Sequence, residues 1–482
     1  MVGQEAPRGT GPQRAICIDL DGTLLNSDLL IESVLALLAR NPLYLFLLPI
    51  WLARGKAPFK REIAMRVALD PATLPYDRRV LSLLDAHPDR IRVLCTASDR
   101  ILAEPIAHHL GLFDVVVASD GQRNLAGRAK ADALIDLFGE RGYDYAGNTR
   151  VDSSVWASAH GAWAVNCNQR VRKIAESNST LLGYFPPSQG RANAWIRAMR
   201  PHQWLKNLLL LVPLLAAHRL FEPTALQDIA LAFAAFCLCA SSTYLINDLL
   251  DLQADRAHPT KRDRPFSSGE LAVSAGLVGG PLLGLAGLAL AWLVSPWFLL
   301  VAAGYYALTL AYSLKLKRIA ILDVVTLAGL YSMRIVAGAT AIGSDLSFWL
   351  LAFSMFIFLS LALVKRYTEL RALPSTHIGK TAGRDYRRDD LPVIGALGST
   401  AGYLAILVLA MYINSPESLE LYRSPRLLWA LCPLFLYWIS RVWLLASRGE
   451  VHEDPILFAL RDGASRAVAV LTVAIMAAAT LL

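Results

Sequence analysis

Residues 241–255 read SSTYLINDLLDLQAD, and they end a long apolar run. On a helix, Asn247, Asp251 and Asp255 share one face because they are spaced i, i+4 and i+8, and Asp248 lies about 100° around, at the edge of that face. Acidic groups stacked at the end of a membrane helix repel one another and are costly unless they are neutralised. Divalent cations shared between these carboxylates and a substrate diphosphate would neutralise them. The alternative is a solvated helix end just beyond the membrane.

A basic loop follows the acidic face directly, over residues 256–265 (RAHPTKRDRP). Guanidinium and ammonium groups donate charge-assisted hydrogen bonds to phosphate oxygens, so a dense basic loop beside carboxylates favours phosphate binding. An ordinary cytosolic loop of a membrane protein would explain the cations, but it would not explain the adjacent acids.

The composition indicates a membrane protein. The chain has 482 residues, of which 55% are hydrophobic and 18% charged, and its mean hydropathy is +0.41. Soluble proteins average about 45–50% apolar and about 25% charged residues, so disordered, fibrous and ordinary cytosolic classes are excluded. Hydropathy predicts an all-α polytopic bundle of about nine transmembrane helices. The expected spans are about 205–222, 226–247, 272–294, 297–314, 320–342, 347–364, 391–413, 426–446 and 465–482.

Lys and Arg are concentrated in the loops on one side of this bundle, with sixteen there against three in the other loops. The positive-inside rule therefore predicts that this side faces the cytosol, most simply across a bacterial inner membrane. The first 15 residues lack the apolar core of a secretory signal, so we expect the N-terminal part to stay in the cytosol with the active sites. The net charge of +8 is explained by these loops without any nucleic-acid partner.

The first 190 residues or so have the pattern of a soluble α/β domain. The apolar run Ala15–Ile18 ends in DLDGTL, which places Asp19 and Asp21 at i and i+2 on an extended segment. Two such carboxylates point the same way and suit a shared Mg²⁺. Polar residues also accompany the other apolar runs, and because parallel strands gather their carboxyl ends at one edge, the pattern predicts a single site there. Those residues are Thr96, Ser98, Lys130, Asn148 and Asp152.

This ordered set resembles the haloacid dehalogenase-like (HAD-like) hydrolase superfamily, with a Rossmann-like sheet over residues 14–175 and a helical cap over about 26–90. The resemblance implies that Asp19 is a nucleophile that forms an aspartyl-phosphate and that Asp21 is the general acid and base. It implies that Thr96 or Ser98 binds phosphate oxygens and that Lys130 neutralises charge. The magnesium ligands that it implies are Asp19, Asp21, Asn148 and Asp152.

One position departs from the HAD-like pattern, because Asn148 stands where the superfamily usually has a first acidic residue. An amide oxygen can still bind Mg²⁺, but it adds no negative charge. Two interpretations therefore stay open, an active phosphatase and a retained scaffold or regulatory domain.

Within the predicted cap, residues 43–53 (LYLFLLPIWLA) are strongly apolar but too few to span a bilayer. A buried cap helix is one interpretation. We favour a segment that lies in the cytosolic membrane surface, because cations bracket it. These cations are Arg40, Arg54, Lys56, Lys60 and Arg61.

Residues 176–192 are polar and contain Pro186-Pro187, which predicts a linker. The expected organisation is then an N-terminal tail (1–13), the HAD-like domain (14–175), the linker and a membrane domain (193–482).

The acidic motif, the basic loop and the helix count together resemble the UbiA superfamily of intramembrane prenyltransferases. Further stretches resemble its decaprenyl-phosphate phosphoribosyltransferase group, namely 200–207 (RPHQWLKN), 255–265 (DRAHPTKRDRP), 312–317 (YSLKLK) and 365–369 (KRYTE). Aromatic prenyltransferases generally carry a second aspartate-rich motif, and here residues 322–327 (LDVVTL) keep only Asp323. A site with one acidic motif and many cations suits several phosphate groups better than a neutral aromatic ring.

The resemblance implies transfer of 5-phosphoribose from phosphoribosyl diphosphate (PRPP) to a polyprenyl phosphate, with release of diphosphate. Magnesium would be held by Asn247, Asp248, Asp251 and Asp255, of which Asp248 and Asp251 are the expected catalytic carboxylates. The HAD-like domain could then remove the 5′-phosphate, leaving polyprenyl-phosphoryl ribose for cell-envelope polysaccharide. The expected substrate-binding residues are Arg200, Gln203, Lys206, Asn207, His258, Lys261, Arg262, Arg264, Tyr312, Lys315, Lys317, Asp323, Arg334, Lys365, Arg366 and Glu369.

Alternatives remain at this point. One is an aromatic-acceptor prenyltransferase of the quinone or haem type that uses a prenyl diphosphate, and another is a lipid-binding scaffold without catalysis. A transporter is disfavoured because matching halves with interrupted helices are not evident. Assembly into homo-oligomers stays open.

Overall fold

A computed structural model describes residues 14–187, 190–374, 384–451 and 455–482. The predicted N-terminal tail, residues 1–13, lies outside them. The chain divides into two compact units, the first running up to Arg200 and including Tyr244–Pro281, the second comprising Pro201–Thr243 and Leu282–Leu482. This division differs from the predicted domain boundaries, since the acidic motif and the basic loop belong to the first unit.

The first unit contains a sheet in which all neighbouring strands of the described chain pair in parallel. Its order is β3-β2-β1-β4-β5-β6. The strands are β1 Ala15–Ile18, β2 Arg92–Asp99, β3 Val115–Ser119, β4 Tyr143–Gly147, β5 Gly161–Val165 and β6 Thr180–Phe185. Successive side chains of a strand point to opposite faces. Accordingly, Ile16 and Ile18 pack in one core while Ala15 and Cys17 pack in another.

The linker prediction was wrong for residues 180–185. They form strand β6, where Ala162 of β5 lies opposite Leu181, and Tyr184 and Leu181 pack against a core of the sheet. The polar residues before this strand belong to the end of a helix, and Pro186-Pro187 marks the end of the strand.

Helices surround this sheet and fill the predicted cap between β1 and β2. Helix α1 begins after Asp28, whose carboxylate accepts a hydrogen bond from Ile31 N at 3.0 Å. The helices up to Met199 are α1 Leu29–Arg40, α2 Leu48–Ala53, α3 Lys56–Ala64, α4 Arg78–Asp85, α5 Arg100–Leu110, α6 Arg128–Phe138, α7 Ser153–Ser158, α8 Gln169–Asn178 and α9 Arg191–Met199.

The apolar cap segment forms the 3-10 helix Pro42–Phe46 followed by α2. Its large side chains are mostly exposed, Phe46 by 73% and Leu43 by 67% of their surface, whereas Trp51 is buried against Leu37 and Ile63. A buried cap helix does not describe this segment. The exposed apolar residues are Leu43, Leu45, Phe46, Leu47, Ile50 and Leu52.

The rest of the described chain is helical, and eight of its helices are long and apolar enough to cross a membrane. These eight confirm all the predicted spans except the first. The helices are α10 Leu211–Ala216, α11 Pro223–Leu250, α12 Leu252–Ala257, α13 Val273–Val294, α14 Pro296–Leu314, α15 Leu322–Ala341, α16 Phe348–Arg371, α17 Leu391–Ile413, α18 Pro416–Leu421, α19 Leu431–Arg448, α20 Pro455–Arg461 and α21 Gly463–Leu481.

The predicted span at 205–222 instead forms the 3-10 helix Pro201–Leu210 and the short helix α10. Pro213 cannot donate a backbone hydrogen bond, and His218 has a left-handed backbone (φ 55°) after α10 ends. Both features stop a long α-helix here.

Candidate functional site

The two carboxylates of the DLDGTL motif lie at the carboxyl end of β1, buried in the first unit. Lys130 Nζ lies 2.7 Å from Asp19 Oδ1 and donates to Tyr145 Oη at 2.9 Å. Lys130 is itself 3% exposed, so it is a buried cation held by a buried acid. Burial raises the pKa of Asp19 to about 7, and the neighbouring Lys130 opposes this shift.

Asp21 links the ends of three elements. Its Oδ1 accepts a hydrogen bond from Leu29 N at the start of α1 (2.8 Å), and its Oδ2 accepts one from Ser98 Oγ at the end of β2 (2.7 Å). Thr96 is buried, and its Oγ1 accepts from Ser98 N at 2.9 Å. Burial raises the pKa of Asp21 to about 6, a value suited to a group that both gives and takes a proton near neutral pH.

Asn148 and Asp152 have different surroundings, although both are predicted magnesium ligands. Asn148 Oδ1 is buried and has no hydrogen-bond partner among the described residues. Asp152 Oδ2 accepts from Asn148 N, Thr149 N and Thr149 Oγ1 at 2.9–3.1 Å, and its Oδ1 accepts from Tyr145 Oη at 3.1 Å. An orphaned oxygen on a residue that lines the same cavity as Asp19 and Asp21 fits a Mg²⁺ ligand, whereas Asp152 holds the turn that carries Asn148.

These groups open into a cavity of about 570 Å³ lined by Asp19, Asp21, Ser98, Lys130 and Asn148. Lys60 also lines it, and its Nζ donates to Ala97 O at 2.6 Å and to Asn124 Oδ1 at 2.9 Å. Arg61 pairs with Asp99 at 3.0 Å. The prediction that Lys60 and Arg61 flank a membrane-surface segment was therefore wrong, because both turn toward the sheet.

A second site lies around the acidic motif, also in the first unit. Arg264 Nη1 bonds to Asp255 Oδ2 and, at 3.1 Å, to Asp248 Oδ1. Arg200 pairs with Asp248, and Lys261 Nζ lies 3.9 Å from Asp255 Oδ1. Both carboxylates are 2% exposed. Two buried acids thus converge on one guanidinium.

Arg264 joins one acid of the predicted face, Asp255, to Asp248, which was predicted at the edge of that face. Helix α11 ends at Leu250 and Asp251 caps α12, although the bonds Asp251 N to Asn247 O and Asp255 N to Asp251 O keep the helical spacing. The convergent pair is Asp248 with Asp255, while Asn247 and Asp251 are half-buried. Among the described residues, no three or more His, Cys, Asp or Glu side chains form a metal-binding group. Mg²⁺ typically uses one or two carboxylates plus substrate phosphates.

The other basic-loop predictions fall at the surface. His258 is exposed, with its Nδ1 3.2 Å from Thr260 Oγ1, and Arg262 is exposed as well. Neither reaches the acidic pair directly.

Arg256, which follows Asp255, connects the acidic motif to the cap. Its guanidinium makes two hydrogen bonds to the Glu32 carboxylate, at 2.6 and 2.7 Å, and a third to Ser267 O at 3.1 Å. Glu32 lies on α1, whose first residue, Leu29, donates its backbone N–H to Asp21 Oδ1. This buried pair joins residues 224 positions apart.

In the second unit, Arg334 binds several protein groups. It donates to Asn207 Oδ1 at 3.0 Å, to Tyr305 Oη at 2.7 Å and to Leu330 O at 2.7 Å. Gly338, one turn further on α15, lets the helix approach Leu210 closely, since a Cβ there would lie 2.2 Å from Leu210 O. Arg334 therefore ties helices together, and its role in substrate binding stays a prediction.

A charged cluster in the second unit unites Asp323 with Arg366 and Glu369, which belong to a different sequence motif. The Arg366 guanidinium lies 2.6 Å from Asp323 Oδ2 and also pairs with Glu369, which Arg384 pairs with in turn. Tyr386 Oη donates to Asp323 Oδ1. Asp323 and Arg366 are completely or almost completely buried.

The remaining predicted residues of the second unit differ in how exposed their side chains are. Lys206 is buried with its Nζ 5.8 Å from the Tyr331 ring centroid, and Lys315 is exposed. Gln203, Tyr312, Lys317 and Lys365 are half-buried.

Sequence reasoning missed Lys60, Glu32 and Tyr386 as site residues. Each lies far along the chain from its partner, and none belongs to a motif or a periodic pattern. Glu32 gave the one available signal, a single charge in the apolar stretch 29–38, whereas Lys60 and Tyr386 stand among other charged residues.

The comparison with protein families concerns the membrane part of the chain. The model of the UbiA prenyltransferase family matches residues 208–461, more than half of the chain. The chain belongs to the UbiA prenyltransferase family. It is thus an integral membrane protein of a transferase family, as its acidic motif and its helices indicated.

Individual relatives of this UbiA-family chain differ in how much of it they cover. The uncharacterized protein y4nM of Sinorhizobium fredii is 37% identical over 456 residues, 93% of this chain and 88% of that protein. Decaprenyl-phosphate phosphoribosyltransferase of Mycolicibacterium smegmatis is 40% identical over 194 residues, 39% of this chain and 61% of that enzyme. A solved UbiA homolog from Archaeoglobus fulgidus bound to GPP and Mg²⁺ aligns with a TM-score of 0.45 at 17% identity, over 60% of this chain and 100% of that one.

Proposed function

We propose that this chain transfers 5-phosphoribose from PRPP to a polyprenyl phosphate at the inner surface of a bacterial membrane. The observation that carries the proposal is the convergence of Asp248, Asp255, Arg264, Arg200 and Lys261, which combines carboxylates with an excess of cations. The relative named decaprenyl-phosphate phosphoribosyltransferase, 40% identical over 194 residues, supports the choice of substrates.

The chemistry follows from these residues. Asp248 and Asp255 would hold magnesium, together with oxygens of Asn247 and Asp251, and the ion would neutralise the leaving diphosphate when bound. Arg200, Lys261 and Arg264 would move from the carboxylates to the diphosphate oxygens. An oxygen of the lipid phosphate forms the bond to the anomeric carbon as the diphosphate leaves. That oxygen is already ionised at pH 7, so no general base is needed.

We also propose that the α/β domain is an HAD-like phosphatase that acts on the transferase product. Asp19 would attack the phosphorus of the ribose 5′-phosphate, and Asp21 would protonate the departing 5′-oxygen. Asp21 would then take a proton from the water that hydrolyses the aspartyl-phosphate, releasing inorganic phosphate. Lys130 would hold Asp19 and neutralise the phosphoryl oxygens. The orphaned Asn148 oxygen supports an active site over a vestigial one.

The exposed apolar segment 42–53 is proposed to lie in the cytosolic lipid surface. Its six exposed apolar side chains and the neighbouring Arg40, Arg54 and Lys56 suit the acyl boundary and anionic head groups. A fluorophore attached at Phe46→Cys should be quenched by spin-labelled lipids in nanodiscs, and one attached at Arg170→Cys should not. Equal quenching at both positions would contradict this placement.

The experiment that tests the two activities uses the full chain in nanodiscs with Mg²⁺, PRPP and polyprenyl phosphate. We expect diphosphate release, then phosphate release, and a lipid carrying ribose. Asp19→Asn should stop at the phosphoribosyl lipid, and Asp248→Asn should form no lipid product. Turnover of prenyl diphosphate with 4-hydroxybenzoate, without turnover of PRPP, would contradict the proposal and favour an aromatic acceptor.

A further inference from the structure

The phosphatase-like cavity has a wall that does not come from the sheet or its cap. Residues 269–275 line it together with Arg191 and Trp195 of α9. Residues 269–275 follow the basic loop and include the first turn of α13, one of the eight candidate membrane spans. The same cavity therefore contains the buried carboxylates of Asp19 and Asp21 and the end of a membrane helix.

This wall is packed closely onto its surroundings. Gly269 (φ 78°) fits against Asn26, since a Cβ would lie 2.7 Å from Asn26 Cβ. Gly279 fits against the Trp195 ring, where a Cβ would lie 2.5 Å from Cη2, and Arg197 pairs with Glu270. Such contacts fix the Trp195 ring on one side of the cavity.

The wall also differs chemically from the deep end of the cavity. Trp195 is half-buried and offers apolar surface next to the buried Leu271 and Val273, while the deep end carries Asp19, Lys130 and other polar groups. Arg191 is exposed. A cation and an aromatic ring at a distance from the phosphoryl-transfer groups suit a ligand with a second anionic group and a sugar ring between the two.

We propose that Arg191 and Trp195 are specificity residues that select a sugar phosphomonoester whose other end is a phosphodiester on a membrane lipid. This inference rests on the proposed phosphatase function. Arg191 binds the phosphodiester, Trp195 packs against the sugar ring, and the lipid tail leaves along the first turn of α13. Soluble sugar phosphates lack the second phosphate and the tail, so they gain nothing from this wall.

The test compares two substrates in the full chain, the lipid-linked phosphoribose made by Asp19→Asn protein and the soluble p-nitrophenyl phosphate. For Arg191→Gln and Trp195→Ala, the ratio of kcat/KM for the lipid substrate to that for the soluble one should fall at least tenfold, mainly through KM. Trp195→Phe should restore most of the ratio. Arg170→Gln, an exposed α8 residue outside the cavity, is the matched control and should leave the ratio as in wild type.

An unchanged ratio in Arg191→Gln and Trp195→Ala would overturn the inference. An equal loss of kcat/KM on both substrates would also overturn it, because such a loss indicates damage to the chemistry or to the fold. If the wild type hydrolyses neither substrate while its transferase step proceeds, the phosphatase proposal fails and the specificity inference fails with it. The two failures are distinguishable, because the first leaves wild-type hydrolysis intact.

Discussion

The ion pair between Glu32 and Arg256 gives a quantitative prediction about the first unit. Both side chains are almost fully buried, at 1% and 2% exposed, and two hydrogen bonds join them. Removing one partner of such a pair leaves a buried charge without compensation, which costs about 3–5 kcal/mol. Glu32→Gln should therefore destabilise this unit by about that amount, since Arg256 keeps its charge.

The expected shift in melting temperature follows from the size of the unit. For a unit of about 150–250 residues, each kcal/mol moves Tm by about 2–4 °C, so Glu32→Gln should lower its transition by roughly 6–20 °C. Differential scanning fluorimetry of the full chain in detergent measures this shift. Transferase turnover should also fall, because Arg256 follows Asp255 on α12.

The matched control replaces both partners, as Glu32→Leu with Arg256→Met. Apolar pairs of similar volume often replace buried ion pairs at little cost, so this double variant should regain most of the lost Tm. A melting temperature of Glu32→Gln within 2 °C of wild type, or a double variant that is less stable than Glu32→Gln, would contradict this prediction.

Further predictions concern the two sites. Asp255→Asn should reduce transfer from PRPP at least 100-fold, because a buried carboxylate of the proposed site loses its charge. Asp263→Asn, at an exposed position, should have little effect on the amount of radiolabelled lipid product. Equal effects of the two substitutions would contradict the site assignment. Arg264→Ala should lower transfer, because a phosphate-binding cation is lost. It should also lower the Mg²⁺ concentration needed for half-maximal turnover, because a guanidinium no longer competes with the ion for Asp248 and Asp255. An unchanged Mg²⁺ requirement would count against this assignment. Asn148→Asp should strengthen Mg²⁺ binding at the phosphatase-like site, because it adds a negative charge. Isothermal titration calorimetry can measure this binding in protein that also carries Asp248→Asn. Weaker Mg²⁺ binding would argue against Asn148 as a ligand.

Much of the α/β domain could be predicted from local sequence. Alternation in β1 places Ile16 and Cys17 on opposite faces, and polar residues after the strands mark the edge that carries Asp19. Strand β6 could not be predicted in this way, because polar residues precede it and Pro186-Pro187 follows it closely, so the stretch has the composition of a linker.

The membrane site was predictable as a motif but not as a geometry. Spacing identified the acidic residues, yet the convergence of Asp248 with Asp255 depends on Arg264 folding back from the basic loop. The Glu32–Arg256 pair joins residues 224 positions apart, and no periodicity reports such a contact. Likewise, Arg334 has the charge of a phosphate ligand, but the positions of Asn207 and Tyr305 decide that it is a structural contact.

Transfer of phosphoribose followed by removal of its 5′-phosphate is tested most directly by the mass of the lipid product. That lipid is formed from PRPP and polyprenyl phosphate by wild-type and by Asp19→Asn protein. We expect the wild type to add a ribosyl group and Asp19→Asn to add a phosphoribosyl group. We also expect that neither product forms once Asp248 and Asp255 are both changed to Asn. A lipid of unchanged mass after incubation with wild-type protein, or product formation without both carboxylates, would contradict these expectations.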